Sequence, residues 1–299
     1  MIDFPYAIRS FTGYLEGTHK SEHTIKNYRL DLLAFQNFIA EAYPGKTPSL
    51  QEVTRGDLDR FRDFLQAKGL KINTRRRQIL TVTQFLNFLS KRKKLSPEMA
   101  GKIPAPHKVE RVPFTVSSVH LIDAIRHLPA ETLLDVRNQV LLWVLAETGC
   151  LVSEVTQLRF DQIEPLSVEL GKKSLRRVPI SSALNRAIGK FKMLGKESPW
   201  LFLGFNKGGS LGQPMTPRGV ELLVKSYGPQ LGLGADSGKL TPRTFRHSAI
   251  VEWFKDNVSL PEIQARLGLK TAYAFRSYES LIKSSSETTS TGGTNPTGF

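Results

Sequence analysis

The chain has 299 residues, which is long enough for two domains that each bury a hydrophobic core. Its 42 Lys and Arg side chains outnumber 27 Asp and Glu, and the net charge of +15 favours a polyanionic partner, although a basic surface also serves solubility. A single cysteine, Cys150, excludes an internal disulfide, and we expect a cytoplasmic protein because neither a membrane-spanning apolar run nor a secretory leader is present.

Residues 1–100 carry apolar side chains at helical spacing in four stretches, and this pattern predicts a domain of four packed helices. The repeating positions are Phe4, Ala7, Ile8, Phe11 and Leu15, then Thr24, Tyr28, Leu32, Phe35 and Phe38, then Leu58, Phe61, Phe64 and Leu65, and finally Ile79, Val82, Phe85, Leu86 and Leu89.

The fourth of these helices is predicted to begin with a polar and strongly basic turn. Backbone N–H groups and the helix dipole already favour phosphate at a helix N-terminus, so added cations make this turn a candidate DNA contact. A solvated charged turn is the alternative. The candidate residues are Asn73, Thr74, Arg75, Arg76 and Arg77, together with Lys26 and Arg29 on the second helix.

Prolines interrupt the chain after this domain and predict an extended linker over residues 101–113. A second domain is expected over residues 114–283. The Ser/Thr/Gly-rich end, residues 284–299, is too polar to pack and is expected to be a flexible tail.

The second domain is predicted to be mainly helical with a small β-sheet. The elements expected in order are a helix from Val119 to Leu128, a buried helix around Val140–Leu145, a hairpin over residues 167–181 with its turn at Gly171–Ser174, a helix from Ala183 to Leu194, a short strand at residues 200–204 and a helix from Thr216 towards Tyr227.

Three further helical stretches are predicted between residues 240 and 278. Thr241 followed by a proline is a helix start, since the hydroxyl caps and the missing proline N–H is not needed in the first turn. Ser259 and Glu262 have the spacing of a capping box for a second helix, which Gly268 ends. The third stretch holds Tyr278.

This order of residues resembles the C-terminal half of the tyrosine recombinase, or phage integrase, family. The matching residues are Thr241, Pro242, Arg243, Phe245, Arg246, His247, Ser248, Leu267, Gly268, Leu269 and Tyr278. The segment ETGCLVSEV at residues 147–155 is similar to another family motif, and the N-terminal helices resemble the core-binding domain of Xer-type recombinases. The resemblance implies a two-domain clamp in which a helical SAM-like core-binding bundle and a catalytic-type domain close on a DNA duplex.

For the reaction, the resemblance implies phosphoryl transfer through a 3′-phosphotyrosine, with no metal or other cofactor. Tyr278 takes the place of the nucleophile and Arg246 that of the second catalytic arginine. Lys172 takes the place of the general acid, and Lys173 in the same turn is the alternative. Arg243 stands where the family has histidine or lysine; it keeps the positive charge but cannot accept a proton.

Leucine occupies two positions that the family uses for chemistry. Leu151 stands in place of the first catalytic arginine, and Leu269 in place of a histidine or tryptophan. We therefore expect a DNA-binding family member that acts in site-specific recombination or integration with weak or absent strand cleavage. Rescue requires Arg243, Arg176 or Arg177 to bind the phosphate, or a partner subunit to complete the site. Lys173, Arg176 and Arg177 are also candidate DNA contacts.

Two alternatives stay open from the sequence: an active recombinase with an altered site, and a basic helical regulator whose resemblance is accidental. The expected partners are double-stranded DNA and either further copies of the chain or a partner recombinase, with a location at the nucleoid and none in a membrane. Structural interpretations of the retained residues are a buried aromatic for Tyr278, an ion-pair partner for Arg246 and a satisfied core histidine for His247.

Overall fold

The computed structural model describes residues 3–45, 49–95, 99, 101, 103–110, 112–171, 175–194, 197–205 and 211–278. The chain divides into two compact units, Met1–Glu110 and Arg111–Phe299, and each has its own apolar core. The predicted general-acid candidates Lys172 and Lys173, and the tail at residues 284–299, lie outside the described residues.

The N-terminal unit contains the four predicted helices. They are α1 Phe4–Gly17, α2 Glu22–Ala42, α3 Arg55–Ala67 and α4 Ile72–Lys91. Their apolar faces meet in a core rich in aromatic rings, where the Phe35 ring lies edge-on to Phe61 with centroids 5.0 Å apart. Side chains cap three of the helices: Asp3, Ser21 and Thr54 each accept from a backbone N–H of the first turn.

The first part of the predicted linker belongs to this unit. Ile103 is buried in the helical core, and the Asn73 side chain makes two hydrogen bonds with the backbone of Val109, one in each direction, at 2.9 and 3.0 Å. Nη1 of Arg76 donates to the carbonyl oxygen of Pro106 at 2.8 Å. Prolines prevent a helix here, and side chains of α4 satisfy the extended backbone instead. The division of the chain into two units falls after Glu110, inside the stretch predicted as linker.

The C-terminal unit is mainly helical with two small sheets. Its elements are α5 Ser118–Arg126, α6 Leu133–Thr148, α7 Val152–Val155, β1 Ile163–Glu164, β2 Ser167–Leu170, β3 Arg176–Pro179, α8 Ser182–Leu194, β4 Leu203–Phe205, β5 Leu211–Pro214, α9 Pro217–Tyr227, α10 Pro242–Lys255 and α11 Leu260–Leu267, with 3₁₀ turns at Phe160–Gln162, Gly234–Lys239 and Ala272–Tyr278.

The predicted hairpin forms, and the sequence pattern missed part of its sheet. Strands β2 and β3 pair antiparallel with Val168 opposite Val178, and the two-residue strand β1 adds to the free edge of β2. The strand predicted at residues 200–204 begins only at Leu203 and pairs with β5. Two residues are too few to show an alternating pattern, which is why β1 was not predicted.

Helix α6 is the centre of the C-terminal core and packs against α10. It ends at Gly149, whose backbone is left-handed with φ 55°. A Cβ at this position would lie 3.3 Å from the Cβ of Ala249 and 3.5 Å from the Cα of Arg246. Glycine therefore permits both the left-handed end of α6 and the close approach of α10.

The structure predicts that Phe35→Ala destabilises the N-terminal unit by about 3–5 kcal/mol, because it leaves a cavity among buried rings. Leu30→Ala on the same helix is the matched control, since Leu30 is 54% exposed; a change within about 0.5 kcal/mol is expected there. Denaturant unfolding followed by circular dichroism measures both. Equal losses in the two variants would contradict the assigned core.

Candidate active site

The start of α10 presents three chemically important side chains. The Thr241 hydroxyl accepts from the backbone N–H of Thr244 at 3.2 Å and begins the helix as predicted. Arg243, Arg246 and His247 then follow at positions i, i+3 and i+4, which places them on one face of the helix. Arg243 is exposed, whereas Arg246 and His247 are half-buried.

Arg246 links two helix ends. Its Nη1 donates to the carbonyl oxygen of Gly149 at 2.8 Å, and its Nη2 donates to the carbonyl oxygen of Leu267 at 3.1 Å. Carbonyl groups in the last turn of a helix lack partners within the helix, and a guanidinium satisfies them while its charge suits the helix dipole. The predicted catalytic arginine is thus held by the ends of α6 and α11.

Arg176 is held in a similar way. Its two terminal nitrogens donate to the carboxylate of Glu154 at 2.6 and 2.8 Å, and its Nε donates to the carbonyl oxygen of Arg266 at 2.7 Å. The side chain is only 10% exposed. These contacts hold Arg176 in place, so they oppose the suggested movement of its side chain onto a phosphate. Arg177 is 69% exposed and pairs with Glu164 at 2.9 Å.

Glu154 keeps its charge inside this network. Burial on its own would raise the pKa of Glu154, but hydrogen bonds from Arg176 and from the backbone N–H of Leu151, with the charges of Arg176 and Arg246, hold the pKa below its ordinary value. The site therefore contains the largely shielded negative charge of Glu154 beside Arg176 and Arg246.

Tyr278 lies at the end of the last 3₁₀ turn and is only 4% exposed. It belongs to a small apolar cluster with Phe275, whose ring centroid is 6.3 Å away. Burial raises the pKa of the Tyr278 hydroxyl to about 12, although the positive charges of Arg246 and Arg243 act to lower it. The tyrosine is therefore protonated at neutral pH.

His247 is in hydrogen-bond contact with this hydroxyl through its Nδ1, and the two ring centroids lie 5.5 Å apart. Burial, with the charges of Arg243 and Arg246, lowers the pKa of His247 to about 4, so the imidazole is neutral at pH 7. The sequence suggested a structural core histidine here. Its direct contact with Tyr278 is a site feature that the sequence analysis missed, because only the fold brings residues 247 and 278 together.

The two leucines lie in different surroundings. Leu269 is half-buried and packs against the cluster that contains Tyr278, and its backbone N–H donates to Gln264 at 2.9 Å. Leu151 is 46% exposed and lines a cavity of about 460 Å³ together with Glu154 and Gly171. Neither side chain can donate a hydrogen bond to a phosphate.

Seven of the predicted DNA contacts lie on the N-terminal unit, and most of these seven are already engaged by other groups of that unit. Arg75 donates to Gln66 at 2.9 Å, and Arg77 pairs with the buried carboxylate of Asp31 at 2.6 Å. Lys26 and Arg29 are exposed on α2. Between α2 and α4 lies a cavity of about 450 Å³, whose lining includes Thr24, Asn27, Tyr28, Asp31, Asn73, Arg76, Arg77 and Gln84.

Two family models match the sequence, one in each unit. A model described as phage integrase, N-terminal SAM-like domain matches residues 8–93, and one described as phage integrase family matches residues 119–283, more than half of the chain. The chain belongs to the phage integrase family. This membership excludes the alternative of an accidental resemblance.

Individual relatives are similar over most of their length. Tyrosine recombinase XerC of Herpetosiphon aurantiacus is 30% identical over 260 residues, which cover 82% of this chain and 80% of that protein. Tyrosine recombinase XerD of Oceanobacillus iheyensis is 26% identical over 276 residues, which cover 88% and 89%. The predicted family is confirmed at the level of whole sequences.

Solved structures share the fold. The XerH site-specific recombinase bound to a palindromic difH substrate in a post-cleavage complex has a TM-score of 0.70 at 17% identity, covering 90% of this chain and 79% of that one. The Tn1549 transposon integrase in complex with circular intermediate DNA has a TM-score of 0.66 at 12% identity, covering 93% and 95%. The predicted fold, a SAM-like helical domain followed by a catalytic-type domain with small sheets, is confirmed.

Across the described residues, no group of three or more His, Cys, Asp or Glu side chains is placed to hold a metal ion. None of the helices in the described part of the chain has the length and apolar character needed to cross a membrane.

Arg176→Met is expected to destabilise the C-terminal unit by about 3–5 kcal/mol near pH 7, because Glu154 would stay charged and buried without its partner. The matched control is Arg177→Met on the same strand, which breaks an exposed pair and should cost at most about 1 kcal/mol. Denaturant unfolding of the full chain measures both, and equal effects would contradict the assigned network.

The pH dependence of stability provides a second test of the pair between Arg176 and Glu154. The folded-state pKa of Glu154 is depressed, so the pair's contribution is complete above the unfolded-state pKa of about 4.3 and is lost as the pH falls through the lower folded-state value. In Arg176→Met the carboxyl group can become neutral at a higher pH. The stability difference between wild type and variant should therefore shrink from pH 7 to about pH 3. A constant difference would show that Glu154 is not its source.

Proposed function

We propose that this chain binds duplex DNA and acts in site-specific DNA recombination or integration, with weak or absent strand cleavage of its own. The observation that carries the proposal is the gathering of Tyr278, Arg246 and Arg243 at one point of the C-terminal unit, with leucine at two positions that are polar in the family. Family membership supports the recombination function.

The retained residues suit a phosphodiester. A buried hydroxyl lies beside guanidinium groups, which can neutralise charge on phosphoryl oxygens. Catalysis of this kind depends on positioning and on electrostatic stabilisation. Arg246 is positioned by two backbone carbonyl groups, which leaves its location well defined before any DNA is bound.

The leucines support weak cleavage. Loss of one preorganised donor at a site of developing charge typically lowers the rate by about 10²–10³, and losses within one cluster are not additive. Leu269 packs against the apolar cluster that contains Tyr278, and Leu151 contributes only an alkyl side chain to the cavity at Glu154. Arg176 does not replace the missing arginine, because Glu154 and a backbone carbonyl occupy its donors.

We place the main sequence-reading contacts on the N-terminal unit. The cavity between α2 and α4 combines the amide side chains of Asn27 and Gln84 with the guanidinium groups of Arg76 and Arg77. Amides pair with base edges in the major groove, and cations bind the flanking phosphates. Thr74, Lys26 and Arg29 extend this surface along the two helices.

Duplex DNA and other recombinase subunits are the partners we propose, at the nucleoid in the cytoplasm. Among proteins of the same fold, XerH is bound to its difH substrate and lambda integrase forms a tetramer on a Holliday junction. An assembly of that kind would let an active partner recombinase complete the strand exchange on DNA to which this chain is bound.

An active recombinase with an altered site is the second candidate. The contact between His247 and Tyr278 favours this candidate, because a neutral imidazole beside the nucleophile can accept its proton, whereas Arg243 cannot. The two candidates share the DNA-binding surface and differ only in the rate of strand cleavage.

Covalent trapping separates the two candidates. A binding sequence is first selected from random duplexes with the full chain, and nicked versions with nicks placed across that site are then incubated with protein. The wild-type chain should form little or no covalent adduct. Leu151→Arg combined with Leu269→His should raise adduct formation about 10²-fold or more, because two polar groups return to the site.

Tyr278→Phe in the doubly restored chain is the control and should abolish the adduct. The attenuated-cleavage proposal is wrong if the wild-type chain forms a Tyr278-dependent adduct as fast as the restored one. In that case the altered but active recombinase is the correct function.

DNA binding should weaken steeply with salt, since phosphate contacts release counterions. Removing the charges of Arg76 and Arg77 by substitution with Gln should lower affinity and make the slope of log K against log salt shallower by about 2. Lys91→Gln with Lys93→Gln, at the other end of α4, is the charge-matched control and should change the slope little.

Circular dichroism checks that each variant is folded, which matters because Arg77 pairs with buried Asp31. If that variant unfolds, Lys26→Gln with Arg29→Gln tests the same surface at exposed positions. A slope identical to wild type in both variants would remove this face of the N-terminal unit from the DNA interface.

A further inference from the structure

His247 occupies the position that a proton acceptor for Tyr278 requires. Its Nδ1 is in hydrogen-bond contact with the tyrosine hydroxyl, and the two rings are inclined by 51°. His247 lies on α10 directly after Arg246, whose hydrogen bonds to Gly149 and Leu267 tie this part of the helix to the ends of α6 and α11. General-base catalysis requires this direct reach to the proton.

Burial keeps both members of the pair neutral at pH 7. Arg243 and Arg246 on the same helix act on both His247 and Tyr278, and the pKa of the histidine is about 4 while that of the tyrosine is about 12. The charges of Glu154 on α7 and Arg176 on β3, and the buried thiol of Cys150, also act on Arg246. A neutral imidazole has one unprotonated ring nitrogen, which can accept a hydrogen bond from a phenol.

The other residues at this point cannot accept the proton. Arg243 stands at the family's histidine or lysine position and is permanently charged. Leu269 has no polar atom, and the carboxylate of Glu154 is occupied by Arg176 and by the N–H of Leu151. Among the described neighbours of Tyr278, His247 is the group with a basic nitrogen at the hydroxyl.

We propose that His247 is a catalytic residue that accepts the proton of Tyr278 during strand cleavage, in place of the family residue that Arg243 replaces. The inference rests on the proposed function, because it assigns a step of the reaction at the same site. It changes the assignment of His247 from a structural histidine to the general base.

The step is balanced as follows. The O–H bond of Tyr278 breaks and its proton passes to Nδ1 of His247, while the phenolic oxygen forms a bond to the phosphorus of a DNA phosphodiester. The bond from phosphorus to the 5′ oxygen breaks, and that oxygen takes a proton from a lysine, for which the sequence suggests Lys172. In the reverse step a 5′-hydroxyl attacks, and the imidazolium returns the proton to the tyrosine.

DNA binding would make this transfer easier. A phosphodiester at Arg243 and Arg246 offsets the two positive charges that hold the pKa of His247 down. The imidazole therefore becomes a stronger base when the substrate is in place. With no DNA bound, the same charges keep the imidazole a weak base, and burial keeps the tyrosine protonated.

The first test needs neither DNA nor cleavage. The full chain is labelled with ¹⁵N in its histidine rings, and the His247 signals are identified by their loss in His247→Gln. We expect an unprotonated Nδ1 at pH 7 whose chemical shift shows an accepted hydrogen bond, and a shift of that signal in Tyr278→Phe. A proton carried on Nδ1 in the neutral ring, or a signal unchanged by Tyr278→Phe, would overturn the proposal.

The second test measures covalent adduct formation on the nicked duplexes. The parent chain is the wild type if it reacts, and otherwise the chain with Leu151→Arg and Leu269→His. His247→Ala and His247→Gln should each lower the rate by about 10²–10⁴ at pH 7. Gln can accept the hydrogen bond but cannot take the proton, so retained activity in His247→Gln would show a merely structural histidine.

The pH profile gives a readout that a structural histidine would not change. The parent rate should be nearly flat between about pH 6 and pH 8, whereas the His247→Ala rate should rise about tenfold per pH unit because hydroxide must remove the proton. Added free imidazole should restore part of the His247→Ala rate. His127→Ala, at an exposed histidine, is the matched control and should behave like its parent.

The outcomes separate this inference from the proposed function. Salt-dependent DNA binding that persists in His247→Ala, with the cleavage rate lost, supports both. A flat pH profile in His247→Ala with binding intact overturns only the assignment of His247. If neither parent chain, the wild type or the Leu151→Arg, Leu269→His chain, forms an adduct, the assignment of His247 as a general base is rejected. The proposal of weak or absent cleavage is then retained.

Discussion

Arg246 satisfies the carbonyl groups of Gly149 and Leu267 with one guanidinium, and the geometry of the whole site depends on these two hydrogen bonds. The two acceptors lie at the ends of α6 and α11, which are far apart in the sequence. Both ends turn through a left-handed glycine, Gly149 or Gly268, and so present their last carbonyl groups to the same side chain. The position of α10, and with it the position of His247, follows from this arrangement.

Electrostatics in the C-terminal unit are organised around the same point. Arg176 and Arg246 bring two guanidinium groups to the end of α11, and Glu154 balances part of their charge at a buried position. The remaining positive field adds to burial in lowering the pKa of His247, whereas burial raises the pKa of Tyr278 against that field, so both side chains are neutral at pH 7. A phosphate is the natural complement to such a field. The charges at this point therefore favour an anion, and this preference does not depend on the rate of strand cleavage.

Much of the fold was predictable because its causes are local. The apolar positions from Phe4 to Leu89 recur at helical spacing, and the buried faces of α1–α4 coincide with them almost completely. Thr241 and Gly268 mark helix ends through capping and left-handed backbone, which depend on a few neighbouring residues. The two-residue strand β1 and the docking of residues 103–110 onto α4 were not predictable, since both depend on partners distant in the sequence.

The sequence by itself determined the family, the two domains and the identity of the residues at each expected catalytic position, including Leu151 and Leu269. Only the tertiary structure decided how the side chains are used: Arg176 is bound to Glu154, Asn73 holds Val109, and His247 meets Tyr278. The physical reason is that a periodic pattern or a cap is defined within a few residues, whereas a hydrogen-bond partner is chosen by packing. Residues 247 and 278 become neighbours only after α10, α11 and the last 3₁₀ turn have packed together.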